Sequence, residues 1–199
     1  MRISCINKSD ILFQKKAVAQ CFVVQDNKKV PCKIFELDSE DKDDVTYFEP
    51  MCNQGAWKNS WYMSSIGNDL YIGTTAKVYA LENEQGECLG ACEVDDVFDD
   101  KDELVFIETA PKYNSLNPRR NLKYAGESLL CFLVQNAKKN KKKFFIITSP
   151  HPSAVGFYKK CGFKKNNYDE NLNMDVYRKV FDDFVENNKE HAGKIEYIG

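Results

Sequence analysis

Between Leu104 and Phe163 the chain reads LVFIETAP (104–111), a polar loop, LKYAGESLLCFLVQNAKKNKKK (122–143), FFIITS (144–149) and HPSAVGFYKKCGF (151–163). The first run is apolar and closed by Pro111, as a strand would be. A glycine-bearing turn at Gly126 then opens a stretch in which Leu129, Leu130, Leu133, Val134 and Ala137 build one helical stripe. FFIITS is nearly all apolar, which suits a central strand covered on both faces. A second helix is expected over Ser153–Cys161, ended by Gly162. Strand, turn, helix, strand, helix predicts a parallel strand pair with a right-handed crossover, and a helix N-terminus that can hold a phosphate-bearing cofactor.

Composition bounds the rest. A length of 199 residues fits one domain, here 1–199, and 43% hydrophobic with 29% charged residues is the balance of an ordinary soluble globular protein. A net charge of −2 argues against a nucleic-acid partner. The five lysines at 138, 139 and 141–143 are read as the solvated end of a helix that complements its dipole. No apolar run reaches the roughly 20 residues of a membrane span, and MRISCINKSD lacks the apolar core of a secretory signal, so a cytoplasmic location is expected. The eight cysteines are scattered and only two histidines are present, so reduced, mostly buried thiols are expected and no metal site.

Upstream, AVAQCFVV and VPCKIFEL, separated by Gln25–Lys29, predict a hairpin, and Asp38–Asp44 an acidic loop. Trp57 and Trp61, four apart, predict a helix that is either buried or covers a substrate pocket. Residues 1–70 are thereby expected to shape the acceptor site, with 71–180 as the cofactor core and 181–199 as a C-terminal helix and tail. KVYALE and ECLGACEV predict a second hairpin, Asp95–Glu103 an acidic connector, and LNMDVYRKV an edge strand before the helix FDDFVENNKEH. On a period of two, Leu104, Phe106 and Glu108 share a face.

The turn residues Lys123, Tyr124, Ala125, Gly126, Glu127 and Ser128 precede a helix whose first N–H groups lack intrahelical partners. Small residues there let a pyrophosphate approach the backbone, and Lys123 adds charge. Here the chain resembles the GNAT family of acetyl-CoA-dependent N-acetyltransferases. Lys123-x-x-Gly126-x-Ser128 is similar to its phosphate motif Gln/Arg-x-x-Gly-x-Gly/Ala. His151-x-x-Ala154-x-x-Phe157-Tyr158 with Gly162-Phe163 resembles its Asn-x-x-Ala-x-x-Phe-Tyr motif, with His for Asn. The resemblance spans about Lys77 to Arg178.

The resemblance implies an α/β (α+β) fold: a mixed, mostly antiparallel central sheet flanked by helices. It implies acetyl-CoA as cosubstrate, a primary amine on a small molecule or protein as acceptor, and direct transfer in a ternary complex. Tyr158 would protonate the leaving thiolate, since a phenol with a pKa near ~10 stays protonated at neutral pH. Glu108 is the first choice for base, because apolar strand neighbours raise a carboxyl, with Glu103 and Asp102 in reserve. Backbone N–H groups at Thr109 and Ala110 would polarise the thioester oxygen. The cofactor set is completed by Lys123–Ser128, His151 and Ser153. A homodimer is left open, and a non-catalytic CoA-binding or protein-interaction module on the same fold is the alternative.

Overall fold

The computed structural model describes residues 15–47, 76–96, 98–110, 113, 121–165, 174–177, 181–192 and 195–198. Among them, ten strands form one sheet. β1 (Lys16–Gln25) and β2 (Lys28–Leu37) make the expected hairpin. Asp26 and Asn27 turn it at φ 49° and 62°, the paired positive values that a two-residue hairpin turn needs. The acidic stretch after β2 is not all loop: Asp41 accepts the N–H groups of Asp43 and Asp44 and caps a single helical turn, α1 (Lys42–Val45). The helix expected around Trp57 and Trp61 lies outside the described residues.

β3 (Lys77–Asn83) and β4 (Cys88–Asp95) form the second hairpin, followed by β5 (Lys101–Thr109) and β6 (Leu122–Lys123). Then come α2 (Ala125–Lys139), β7 (Phe144–Ile147), α3 (Val155–Cys161), β8 (Lys164–Lys165), β9 (Met174–Tyr177), α4 (Phe181–Ala192) and β10 (Glu196–Tyr197). The strand order is β10-β1-β2-β3-β4-β5-β7-β9-β8, with β6 also on β1. The sheet is antiparallel except where β5 meets β7, as the strand-helix-strand pattern predicts. β9 is not an edge strand, because β8 pairs outside it.

Two irregularities shape the middle of the sheet. β5 and β7 pair only from Lys101–Leu104 against Phe144–Ile147, so beyond Leu104 the strands part and leave a fork. In β5 two residues, Val105 and Phe106, stand against Glu93 alone, while Val94 faces Leu104 and Cys92 faces Ile107. This bulge leaves Val105 40% exposed and shifts the alternation by one. Leu104, Ile107 and Thr109 therefore share the face of β4 residues Gly90, Cys92 and Val94. That face is covered by α2: a Cβ on Gly90 would lie 3.2 Å from Leu129 Cδ1. Phe106 and Glu108 lie on the opposite face, so Leu104 does not share theirs as strict alternation suggested.

The core fills the α2 face, where Tyr79 meets Phe132 edge-on at 5.0 Å and the five stripe residues of α2 are all buried. The lysine run is only partly solvated. Lys142 is buried, pairs with Asp102 at 3.3 Å and donates to the carbonyls of Asp96 and Phe98. The connector 95–103 is thus strand from Lys101 onward, with Asp102 inside it rather than in solvent. Six described cysteines are buried free thiols. Burial pushes Cys32, Cys88 and Cys161 up to about 12, far from thiolate chemistry.

Candidate active site

The fork is bounded by the C-terminal half of β5, the end of β7, the first turn of α2 and α3. Ala110 N–H donates to Leu89 O across the Gly90–Thr109 pair. In an antiparallel ladder that bond marks a non-hydrogen-bonded pair, so the N–H and C=O of Thr109 point away from β4, into the gap that β7 has left. Those of Ile107, two residues earlier, do the same. Thr109 is therefore set to polarise an oxygen in the gap, but Ala110 is not, its N–H being committed to Leu89. Ile107 takes the second place; only the register reveals it.

The first turn of α2 stands above the gap. Tyr124 precedes it at φ 74°, a strained value for a tyrosine that swings the chain into the helix. Ser128 N bonds Tyr124 O as the first intrahelical bond, so the N–H groups of Ala125, Gly126 and Glu127 stand before it. A Cβ on Gly126 would lie 3.1 Å from Phe157 Cζ and 3.6 Å from Thr109 Cγ2. Glycine here lets helix, strand and α3 close on one another. Ser128 is turned inward, its hydroxyl donating to Phe22 O, so neither its side chain nor its N–H faces the gap. Lys123 is exposed on β6, paired with Val24. Glu127 lines a cavity of about 520 Å³ with Lys160, Asp183 and Asn187, between α2, α3 and α4.

His151 and Ser153 shape the entry to α3. The ring Nδ1 of His151 lies 2.8 Å from Ser153 Oγ and accepts Ser153 N–H at 3.3 Å, and His151 O accepts Ala154 N–H. Both side chains are exposed and engaged with each other. Ser149, at φ 49°, turns the chain away from β7 just before.

Further down, Tyr158 is buried between aromatic neighbours. Its ring lies 5.3 Å from Phe157 and 6.0 Å from Phe163, which lies 6.0 Å from Phe145. Phe145 is a β7 residue paired with Asp102, so this aromatic chain ends at the foot of the fork. On the opposite face at that foot is Glu103, in register with Ile146 and accepting the Thr148 hydroxyl, with Lys101 Nζ at 3.2 Å. Glu108 is half-buried on that same face, paired with Ala91. Asp102 faces the core and is held by Lys142; burial raises its carboxyl and the lysine offsets part of that rise. It is not available as a base.

Several solved structures share this fold. A structure from Exiguobacterium sp. 255-15 aligns with a TM-score of 0.55 at 12% identity, over 76% of this chain and 97% of the other. The ribosomal-protein-S18-alanine N-acetyltransferase of Escherichia coli aligns at 0.51 and 17% identity, over 73% and 93%. The chain has the GNAT acetyltransferase fold. The spermidine/spermine N-acetyltransferase of Vibrio cholerae, solved with manganese ions, shares the GNAT fold at 0.51 and 13% identity, over 76% and 95%. No protein-family model matches the sequence, and no curated protein matches it either. Among the described residues no group of three or more His, Cys, Asp or Glu is disposed to hold a metal ion, and no helix is long and apolar enough to cross a membrane.

Proposed function

We propose that this chain is an acetyl-CoA-dependent N-acetyltransferase acting on a primary amine by direct transfer. The observation that carries the reading is the fork itself: β5 keeps its Ile107 and Thr109 backbone groups aimed into a gap roofed by the first turn of α2. A pantetheine arm can add there as a partial strand, and the three leading N–H groups of α2 meet a pyrophosphate at the dipole's positive end.

When bound, acetyl-CoA supplies the thioester. Thr109 and Ile107 N–H groups polarise its oxygen, and Tyr158, buried at the foot, gives a proton to the departing thiolate. The amine approaches from the face opposite α2, since α2 and α4 occupy the other. Its nitrogen bonds to the acetyl carbon as the carbon–sulfur bond breaks, and the proton it sheds goes to a carboxylate. Glu103 is taken for that role ahead of Glu108, because it stands on the open face where the strands begin to part.

Incubation with acetyl-CoA and a panel of amines, reading thiol release, tests this. Release that depends on amine supports it. Tight acetyl-CoA binding with no release for any amine returns the chain to the alternative of a non-catalytic binding module.

A further inference from the structure

The cavity of about 520 Å³ between α2, α3 and α4 lies outside the fork, yet it begins at the same turn. Glu127, whose N–H is one of the three leading groups of α2, lines one side; Lys160 comes from α3 and Lys164 from β8. The far wall is α4, beyond the stretch that resembles the GNAT family, with Asp183, Phe184 and Asn187. That wall is fixed to the fold. Gly162 ends α3 at φ 109°, and a Cβ there would lie 3.2 Å from the Phe184 ring, so α4 packs directly on the end of α3. Phe184 is buried and meets Phe163 edge-on at 5.3 Å, and the buried Asn188 amide donates to Cys161 O across the junction.

The side chains around the mouth are uncommitted. Among the described residues Glu127, Lys160, Lys164, Asp183 and Asn187 form neither an ion pair nor a side-chain hydrogen bond, although ammonium and carboxylate groups line the same cavity. Val176 and Phe184 give it an apolar floor. Ammonium groups for a phosphate, carboxylates and an amide for hydroxyl and amine donors, and an apolar surface for a flat base are together the complement of a nucleoside phosphate. A tether decides which one. In coenzyme A a single methylene joins the pyrophosphate to the ribose, so a pyrophosphate on the leading N–H groups of α2 keeps its nucleoside beside Glu127. Resting on the transferase reading above, we infer that this cavity seats the adenosine 3′-phosphate end of the cosubstrate and that α4 is its outer wall. Lys164, with Lys160, holds the 3′-phosphate and makes the site specific for it. Asn187 takes the base, and the carboxylates take the ribose hydroxyl and the exocyclic amine.

Isothermal titration calorimetry with coenzyme A and with 3′-dephospho-coenzyme A, on the wild type, Lys164→Ala, Lys165→Ala and Asn187→Ala, tests this without turnover. All three substituted residues are exposed, so the fold is expected to survive, as melting curves would record. The wild type should bind coenzyme A about tenfold more tightly than the dephospho form. Lys164→Ala should remove most of that difference by weakening coenzyme A alone. Lys165→Ala, the next residue of the same strand but not on the cavity, should change neither ligand. Asn187→Ala should weaken both alike by about fivefold. Equal affinity of the wild type for the two ligands overturns the inference alone. So does a Lys165→Ala loss equal to that of Lys164→Ala, which marks a diffuse charge effect, or an Asn187→Ala variant that binds both as the wild type does. No binding of either ligand overturns the transferase reading and this inference with it.

Discussion

Gly126 and Phe157 touch so closely that a single added methyl would lie 3.1 Å from the ring, which makes the roof of the fork sensitive to one carbon. Gly126→Ala gains helix propensity of about 1 kcal/mol but forces the Phe157 ring to give way by a few tenths of an ångström. Thermal stability should stay within about 1 kcal/mol of wild type, while the KM for acetyl-CoA rises severalfold. Paired melting curves and kinetics separate the two effects.

Tyr158 and Glu103 are expected to divide the proton work. Tyr158→Phe keeps the ring packed against Phe157 and Phe163 and should lower kcat by about 10²-fold with little change in either KM. Glu103→Gln should cost kcat to a similar degree, and Glu108→Gln much less. Loss confined to Glu108→Gln would return the base to the upper part of β5.

Lys142 and Asp102 form a buried pair, so removing one partner strands the other. Lys142→Met should destabilise by about 3–5 kcal/mol at neutral pH, read by urea unfolding, and adding Asp102→Asn should recover much of it. Burial already holds the Asp102 carboxyl above its ordinary range, so its protonated form is the one the fold prefers. That preference favours the fold below the unfolded value and is lost as pH rises through the folded one. The deficit of the single variant should therefore shrink as pH falls into the carboxylate range.

The thiols offer a probe of the core. Burial raises Cys161 to about 12, and the other described cysteines are raised as well. Iodoacetamide at pH 8 should leave these six unmodified in the native protein and label them after unfolding, as peptide mass mapping would record.

The segment from His151 to Phe163 was legible because its signals are local. A glycine that ends a helix, aromatic residues at fixed offsets and a polar residue before the first turn all act within a few residues of one another. His151 does its part with a ring nitrogen that accepts Ser153 N–H, so the departure from asparagine is visible in sequence and harmless in space. The glycine turn was legible in outline, yet Ser128 was misread, since nothing nearby announces that Phe22, more than a hundred residues earlier, will take its hydroxyl. What stayed hidden depends on register. Val105 looks like any strand residue, but as a bulge it reverses the faces of everything after it, moving Glu108 away from Leu104 and aiming the Ile107 N–H into the gap where that of Ala110 was expected. Asp102 and Lys142 each read as surface charges until the fold brings them together. Asp175 sits in a run, LNMDVYRKV, whose pattern says strand and nothing about which strands will flank it.

The pairing of β10 with β1 has a consequence for how the protein is made. Tyr197 lies against Ala19, so the outer rim of the first described strand is closed by residues synthesised much later in the chain. Until then β1 offers an open hydrogen-bonding edge to any neighbouring nascent chain. Versions lacking residues 195–198 should consequently aggregate during expression even when the fork, at the far side of the sheet, is fully encoded.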